Sequence, residues 1–393
     1  MLAFTFPGQG SQKPGMGAPW IEHESWELVD EASEVAGRDI ARLLLEADAE
    51  ELRQTDNAQL TTFVLSLVVL DAVERVGVRP AMAAGHSLGE YTALTATGTM
   101  GFDEGVRTVV ARGDAMREAA EDNPGTMAAV LGLEDDDCDV ACRRADGDVW
   151  VANFNAPGQV VIAGSAEGVA AAGVAAKELG AKKVMPLPVG GAFHTPYMAP
   201  ARDDLRKAID AVTFRAPDVP VIANIDARPH LDADEWSKLL SGQLVSPVRW
   251  RHSVARMFED GVRTFVELGP GNVLTGTVKR IVSDARALSV ATPDDLDKLL
   301  ETLAGEPPVQ HDVPEGEHLY LVERMVVSPA AGIFVPAEPW RSDPHGVAEV
   351  GDLLGMIGEV EVRSLFAGQV MGFIAVDGER VTASQPIAWL RTA

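Results

Sequence analysis

Residues 81–95 read AMAAGHSLGEYTALT. A short apolar run leads into Gly85-His86-Ser87-Leu88-Gly89, and the residues that follow have helical character. A buried strand, a sharp turn and a helix in this order would expose a serine at the tip of the turn. The chain contains 37 glycines, so the G-x-S-x-G pattern alone also fits a serine that lies between two glycines by chance. The rest of the sequence has to decide between these interpretations.

The composition is that of a folded, acidic protein. The 393 residues are 46% hydrophobic and 23% charged, with a formal net charge of −26 at pH 7. This length predicts two or three domains. The charge argues against nucleic acid or a membrane as partner, because binding phosphates needs clustered Lys and Arg. Cys138 and Cys142 are four residues apart, which fits one helix face better than a disulfide framework.

The N-terminal segment, MLAFTFPGQG, has neither the basic region nor the long apolar run of an export signal. The most apolar segment, residues 60–73 (LTTFVLSLVVLDAV), is too short to span a bilayer and carries Asp71. We therefore expect a cytoplasmic protein in which residues 60–73 form a buried helix.

Strand-like and helical runs alternate along the first 125 residues. LAFTFPG and AMAAG read as strands, and ESWELVDEASEVAG reads as an amphipathic helix that stops at glycine. Such alternation predicts the α/β class, with a parallel sheet flanked by helices. The same pattern resumes in VPVIANID and VRTFVELGPG. Residues 1–125 and 191–303 are therefore assigned to one domain.

Residues 126–190 follow a different order. Their pattern is strand, acidic helix, two strands joined through NAPG, a second helix and a last strand. This β-α-β-β-α-β order predicts a small ferredoxin-like subdomain inserted into the larger domain.

A separate β domain is predicted at the C-terminal end. Residues 304–317 are rich in proline and glycine and read as a linker. Residues 318–393 show short alternating strands and no helical pattern. A weak repeat within them indicates two copies of one unit in a flattened barrel. The repeat relates 326–332 to 362–368 and 350–357 to 383–390.

Ser87 needs partners to act as a nucleophile. A serine hydroxyl is weak at neutral pH and requires a general base. At the start of a helix, the N–H of Leu88 would point at a developing oxyanion. Gln9, in FPGQGSQ after the first strand, has a glycine on each side, so its N–H is a candidate second donor. A glycine-rich turn with no ligand is the alternative for that loop.

Several histidines are candidates for the base. His194, in PVGGAFHTPYM, follows a strand and two glycines, and a surface-loop histidine is the alternative. His86 adjoins Ser87 and is expected to be structural, because its side chain leaves the elbow in another direction. His230 and His252 are the remaining candidates in the first domain. The linker and the β domain contain His311, His318 and His345.

Seven motifs occur together in one order: FPGQGSQ, GHSLGEY, VVARGDAM, NFNAPGQVVIAG, GAFHTPYM, QLVSPVRW and VELGPGNVLTG. From residue 1 to about residue 300 the chain resembles malonyl-CoA:acyl carrier protein transacylases. The resemblance implies an α/β-hydrolase-like fold for the larger domain. It also implies ping-pong transfer of a malonyl group from malonyl-CoA to an acyl carrier protein, in fatty acid or polyketide synthesis, without a bound cofactor or metal.

The same resemblance assigns catalytic roles. It implies that Ser87 is the acylated nucleophile and His194 its general base, with Gln9 and Leu88 at the oxyanion hole. Gln243, in QLVSPVRW, corresponds to the residue whose carbonyl orients the histidine. The implied site is a Ser-His dyad without an acidic third member.

Two further residues concern the acyl group. Arg112, in VVARGDAM, matches the arginine that pairs with the free carboxylate of malonyl. A guanidinium suits that task because it can form two parallel hydrogen bonds to a carboxylate. In the family, Phe before the histidine, here Phe193, and a branched apolar residue after the serine, here Leu88, accompany unsubstituted malonyl. We expect Phe193 to fill the space that an α-methyl group needs.

Carrier proteins are acidic, so an acidic enzyme needs a local basic patch to bind one. Lys182 and Lys183, in GAKKVM, are the best candidates for this contact, and Lys279 and Arg280 come second.

The β domain is an addition to the usual family enzyme and resembles a biotinyl/lipoyl-attachment domain. Such domains present a lysine at a hairpin, whereas the corresponding stretch here, GMIGEVEVRS, has none, and Lys298 is the last lysine of the chain. We therefore expect neither biotin nor lipoate. The domain is predicted to recruit the enzyme to a carboxylase or a polyketide assembly, or to pack on the catalytic domain.

Two other functions fit parts of the sequence. An acyl-carrier-protein hydrolase or general esterase would share the elbow, but a hydrolase of neutral acyl groups has no use for Arg112. A scaffold without activity would have no chemical reason to keep Ser87, His194, Arg112 and Gln243 together.

Overall fold

The computed structural model describes residues 1–304, 323–342, 346–358, 360–364, 367–381 and 385–391. The chain divides into two compact units, Met1–Val309 and Gln310–Ala393. The predicted linker, residues 304–317, lies outside the described residues except for Ala304, which ends a helix.

The first unit contains two sheets and the helices that cover them. Its strands are β1 (Leu2–Phe6), β2 (Met82–Gly85), β3 (Thr126–Leu131), β4 (Val149–Ala156), β5 (Gln159–Gly164), β6 (Lys183–Pro186), β7 (Val221–Ile222), β8 (Pro229–His230), β9 (Thr264–Leu268) and β10 (Arg286–Val290). Its α-helices are α1 (Glu27–Ala36), α2 (Ile40–Leu45), α3 (Thr55–Arg75), α4 (Leu88–Ala96), α5 (Phe102–Asp122), α6 (Asp135–Arg144), α7 (Ala166–Glu178), α8 (Ala199–Ile209), α9 (Trp236–Gln243), α10 (Trp250–Glu259), α11 (Val273–Ile281) and α12 (Asp294–Ala304). Short 3-10 helices lie at Ala18–Trp20, Glu24–Trp26, Glu51–Arg53, Pro196–Met198 and Ala233–Glu235.

The larger sheet has the strand order β10-β9-β1-β2-β7-β8. All neighbouring pairs are parallel except β7 and β8, which are antiparallel. The parallel sheet and the mixed α/β class predicted from the alternating pattern are therefore confirmed. VPVIANID contributes only the two residues of β7, because a backbone turn in which the Ala223 N–H donates to the Arg228 carbonyl follows directly.

Helix α3 forms the centre of the helical layer. Its length and composition alone would allow it to cross a membrane, but 89% of its most apolar 18-residue stretch is buried inside the protein. Helix α5 packs along it and is amphipathic. The prediction that residues 60–73 form a buried core helix is confirmed.

The smaller sheet has the order β4-β5-β3-β6, and all of its pairs are antiparallel. Its elements follow one another as strand, helix, strand, strand, helix and strand, which is the order read from the sequence. Cys138 and Cys142 are buried and unbonded in the core that α6 and α7 form with this sheet.

The second unit consists mainly of short strands. They are β11 (Glu323–Val327), β12 (Gly332–Pro336), β13 (Val347–Ala348), β14 (Leu353–Ile357), β15 (Val360–Arg363), β16 (Gly368–Phe373), β17 (Arg380–Val381) and β18 (Pro386–Arg391). Helix α13 (Glu338–Ser342) was not expected, since the sequence shows no helical pattern there. The side chain of Trp340 explains its position: it is buried, and its Nε1 donates to the Leu353 carbonyl at 2.8 Å.

The described strands of the second unit pair in two sheets, β11-β18-β16-β13 and β15-β14-β12-β17. When β11, β12, β13 and β14 are matched in that order with β15, β16, β17 and β18, the strand order of each sheet becomes the strand order of the other sheet. The pairing therefore has the symmetry of two related halves, and the repeated segments noted in the sequence fall at equivalent positions of these halves.

Candidate active site

Ser87 occupies a strained turn between β2 and α4. Its backbone angles are φ 54° and ψ −104°, a region that non-glycine residues rarely adopt. The turn is tight enough to exclude side chains on both sides. A Cβ on Gly85 would lie 1.8 Å from the Gly89 backbone, and one on Gly89 would lie 2.1 Å from the Phe6 carbonyl oxygen. The glycines of the elbow are therefore required by close backbone contact.

His194 lies directly against the serine. Its Nε2 is 2.7 Å from Ser87 Oγ, and its Nδ1 is 3.1 Å from the backbone carbonyl oxygen of Gln243. A carbonyl only accepts hydrogen bonds, so Nδ1 carries the proton of the neutral ring. The lone pair of Nε2 then faces the serine O–H, which is the arrangement a general base needs.

The surroundings keep this histidine neutral. His194 is 4% exposed. Burial, and next the positive charge of Arg112, lower the pKa of His194 to about 3. The ring is therefore neutral at any physiological pH, and Nε2 keeps its lone pair.

Arg112 reaches the same serine from helix α5. It is 1% exposed, and its Nη2 donates to Ser87 Oγ at 3.0 Å and to Gln243 Oε1 at 3.1 Å. Its Nη1 donates to Gln59 Oε1 at 2.5 Å. The guanidinium also lies 5.2 Å from the centre of the Tyr91 ring.

This guanidinium forms no direct ion pair with any of the described residues. In the described parts of the chain, no carboxylate lies within ion-pair distance of Arg112, and its buried Nε has no hydrogen-bond partner. Burial lowers the pKa of Arg112. An unpaired buried cation is costly, so the site is electrostatically suited to a ligand that carries a negative charge.

A cavity of about 210 Å³ opens in front of the serine. The loops after β1 and β2, strands of the smaller sheet and helices α5 and α11 contribute to its lining, which includes Gln9, His86, Arg112, Phe193 and Leu274. Phe193 is 5% exposed. Within the described residues, the backbone N–H groups of Gln9 and Leu88 donate to no acceptor, so both are available to a ligand.

The other histidines have different surroundings. His86 also lines the cavity, but its Nε2 is 2.8 Å from Asn155 Oδ1 and its ring packs edge-on against Trp250. His230 lies between Asp226 and Glu235, and the His252 ring packs against Phe154. His311, His318 and His345 lie outside the described residues.

Lys182 and Lys183 lie on the surface at the start of β6. The Lys182 side chain passes over Gly132, whose N–H donates to the Gly158 carbonyl in the β4–β5 turn. On the same turn, Arg280 donates to the Pro157 carbonyl at 2.9 Å and to the side chain of Gln159, a residue that lines the cavity. Of the predicted basic residues, Lys182 and Arg280 therefore lie near one turn beside the cavity.

Three residues behind the elbow were missed by the sequence analysis: Gln59, Glu90 and Asn224. Asn224 Oδ1 accepts from the Ser87 N–H at 2.7 Å, and its Nδ2 donates to the Gly85 carbonyl at 2.7 Å. Glu90 is part of the GHSLGEY motif. An acidic residue in an otherwise apolar helical turn is the sequence feature that could have identified it. Gln59 and Asn224 gave no signal in the sequence.

Within the described residues, no group of three or more His, Cys, Asp or Glu side chains could hold a metal ion.

Comparison with known proteins gives one consistent answer. Residues 3–297 match the family model of the acyl transferase domain. The malonyl CoA-acyl carrier protein transacylase of Bacillus subtilis is 41% identical over 310 residues, which cover 78% of this chain and 98% of the relative. An acyl carrier protein S-malonyltransferase from Vibrio cholerae superposes with a TM-score of 0.73 at 41% identity, over 76% of this chain and 99% of that structure.

A second similar structure contains a partner. It is a type II polyketide acyl-carrier protein in complex with its malonyl-transacylase, with a TM-score of 0.74, 38% identity and coverage of 77% of this chain and 99% of that one. The chain thus belongs to the acyl transferase domain family. The relatives that it matches along almost their whole length are malonyl CoA-acyl carrier protein transacylases. The family match ends at residue 297 and lies within the first unit.

Proposed function

We propose that the first unit transfers a malonyl group from malonyl-CoA to the phosphopantetheine thiol of an acyl carrier protein, through malonyl-Ser87. The observation that carries this proposal is the unpaired guanidinium of Arg112, whose Nη2 lies 3.0 Å from Ser87 Oγ. A three-carbon acyl group on Ser87 brings its terminal carboxylate within reach of that guanidinium. The names of the relatives support the same donor and acceptor.

In the first half-reaction, Ser87 Oγ attacks the thioester carbonyl of malonyl-CoA while His194 Nε2 takes the hydroxyl proton. The N–H groups of Gln9 and Leu88 stabilise the oxyanion. When the intermediate collapses, the C–S bond breaks and the CoA sulfur takes the proton from His194. Gln243 holds the histidine through its backbone carbonyl and needs no charge to do so.

The second half-reaction runs the same steps in reverse. The carrier thiol gives its proton to His194 as its sulfur attacks the malonyl ester. Collapse of the intermediate returns the proton to Ser87 Oγ. Transfer rather than hydrolysis results when the thiol, and not water, occupies this position.

Phe193 is proposed to favour malonyl over methylmalonyl. Its buried side chain lines the cavity beside His194, where it occupies the volume that an α-methyl group needs. One methyl group is worth only ~1–3 kcal/mol of discrimination, so the preference is moderate.

Lys182 and Lys183 are proposed to bind the carrier protein. Both are exposed and lie near the β4–β5 turn that Arg280 also contacts, beside Gln159 of the cavity. A cluster of cations at this position would steer an acidic partner towards the cavity that contains Ser87.

For the remaining elements we propose the finer assignments made from sequence. The larger sheet is α/β-hydrolase-like and the smaller one ferredoxin-like, which its strand order supports. The second unit is a biotinyl/lipoyl-like flattened barrel, supported by its two symmetric sheets and the β14–β15 hairpin. It carries no biotin or lipoate, because the chain beyond Lys298 has no lysine to which they could be attached. It recruits a carboxylase or polyketide assembly, and the protein works in the cytoplasm.

The test is a loading and transfer assay. The protein is incubated separately with malonyl-CoA, acetyl-CoA and methylmalonyl-CoA, and the mass of the Ser87 peptide reports the adduct. Carrier protein is then added. Movement of malonyl to the carrier supports the proposal, whereas release of free malonate with or without carrier would identify a hydrolase. Intact mass of the purified protein tests for biotin or lipoate.

A further inference from the structure

Glu90 is a buried carboxylate that the mechanism above does not use. It lies in the first turn of α4 and is 1% exposed. Its Oε1 accepts from the backbone N–H of Asn224 at 2.7 Å, and its Oε2 accepts from the side-chain amide of Gln243. Both oxygens therefore face donors.

The two donors belong to residues that hold the catalytic serine. The Asn224 side chain binds the Ser87 N–H, and Gln243 Nε2 donates its second proton to the Ser87 carbonyl at 2.9 Å. Gln243 Oε1 accepts from Arg112 Nη2 at 3.1 Å. The Gln243 side chain thus connects Glu90 to Arg112.

An amide has one donating end and one accepting end, whereas an ionised carboxylate only accepts. Next to the Glu90 carboxylate, Gln243 must therefore turn its NH₂ group inward and its oxygen towards Arg112. We propose that Glu90 is a positioning residue that sets the amide orientation of Gln243 and thereby places the Arg112 guanidinium for the carboxylate of the acyl group. This inference rests on the proposed function, because it explains how malonyl is selected.

Glu90→Gln changes this arrangement with almost no change in size. The new amide can offer its oxygen to only one of the two donors, and its NH₂ faces the other. If its NH₂ faces Gln243, that residue must turn its oxygen inward, which places N–H against the N–H of Arg112. Loss of a hydrogen bond to a charged group lowers a rate roughly tenfold to a hundredfold when the bond is made in the transition state. We expect a decrease of this size in the rate of malonyl loading. Acetyl loading, which does not use the guanidinium, should fall severalfold at most.

Glu90→Asp provides a matched rescue. It keeps an ionisable carboxylate that only accepts hydrogen bonds, on a side chain one methylene shorter than glutamate. We expect Glu90→Asp to retain more of the malonyl-to-acetyl loading ratio than Glu90→Gln, although glutamine is closer to glutamate in size. A purely structural role for Glu90 would reverse this order, because the shorter side chain leaves the larger gap in packing.

The pH of the assay matters, because burial raises the pKa of Glu90 to about 7. The charged groups that act on it are Arg112 on α5, which favours the ionised form, and Asp226 after β7, which opposes it. Tyr91 beside it has a pKa raised to about 12 by burial and stays neutral. Loading is therefore compared at pH 8, where Glu90 is mostly ionised. In the wild type, the malonyl-to-acetyl ratio should fall as the pH is lowered through about 7, and in Glu90→Gln it should not.

The experiment measures single-turnover loading of Ser87 from malonyl-CoA and from acetyl-CoA, together with thermal unfolding. Glu267→Gln is the control for loss of another buried carboxylate; Glu267 accepts from the N–H groups of Leu274 and Thr275, and its loss should not change the malonyl-to-acetyl ratio. Equal loss of malonyl and acetyl loading in Glu90→Gln, or a malonyl-to-acetyl ratio in Glu90→Asp no higher than in Glu90→Gln, would overturn the inference. Should Glu90→Gln unfold, the wild type still tests it, since a malonyl-to-acetyl ratio that does not fall as the pH is lowered through about 7 would overturn the inference. Failure of the wild type to load malonyl would count against the proposed function instead.

Discussion

The sharpest test of the site is Arg112→Ala. The substitution removes a fully buried cation that forms no direct ion pair with a carboxylate of the described residues. For a malonyl substrate, it leaves the acyl carboxylate buried without a partner. Breaking such a pair costs about 3–5 kcal/mol, and each 1.36 kcal/mol is tenfold in rate. We therefore expect kcat/KM for malonyl loading to fall by roughly 10²–10⁴.

Acetyl has no carboxylate and should respond differently. Its loading should stay within about tenfold of the wild type, because the substitution leaves the contact between Ser87 and His194 in place. The assay is single-turnover acylation of Ser87 from each thioester, read by mass. Arg107→Ala is a matched control: Arg107 lies on the same helix, is exposed and pairs with Asp103, so its loss should change neither rate.

Arg112→Lys tests whether charge alone is sufficient. An ammonium keeps the charge but lacks the planar fork that reaches Gln59, Gln243 and a carboxylate together, so an intermediate rate is expected. The interpretation fails if Arg112→Ala lowers malonyl and acetyl loading equally. That result would assign Arg112 a role in the fold or in activating Ser87, and not in selecting the acyl group.

Three further predictions concern other parts of the site. Phe193→Leu should raise loading from methylmalonyl-CoA relative to malonyl-CoA by about tenfold, and an unchanged ratio would remove Phe193 from substrate selection. Charge reversal at Lys182 and Lys183 should raise the KM for carrier protein several-fold while loading from malonyl-CoA stays the same, and an unaltered KM would place the docking surface elsewhere. Because the pKa of His194 is lowered to about 3, acetyl loading should not decline between pH 8 and pH 5 through protonation of the histidine; a decline with a midpoint near 6.5 would contradict that value.

Local patterns predicted the parts of the structure that depend on neighbouring residues. The elbow is an example, since Gly85, Ser87 and Gly89 are within five positions and the strand and helix on either side follow from periodicity. The parallel sheet followed from the alternation of strands and helices, since a parallel crossover needs a connecting helix. The partner histidine, His194, was chosen among several by family resemblance, because its distance from Ser87 depends on how the sheet folds.

The network behind the elbow could not be found in this way. Asn224 is 137 positions from the serine that it holds, and Gln243 is 153 positions from Glu90. Each of these polar residues looks ordinary in sequence, and its role arises only when a buried donor meets a buried acceptor. Gln59 is hidden even more completely, because it lies in the buried helix α3 among apolar residues and supports Arg112 from there.

The arrangement of charges makes the basicity of His194 depend on the acyl group that is bound. Arg112 lowers the pKa of His194, which weakens the histidine as a base in the empty site. A bound malonyl carboxylate neutralises much of that positive charge, so the basicity of His194 should rise when the correct acyl group is present. Acetyl brings no charge and leaves the histidine weakened. A carboxylate in place of the Gln243 carbonyl would raise the pKa of His194 whichever thioester is bound, and so would not favour malonyl. On this reasoning, Arg112 contributes to selectivity in the chemical step as well as in binding. Arg112→Ala should therefore load acetyl faster than a variant in which only the packing of the site is disturbed, because the arginine no longer lowers the pKa of His194.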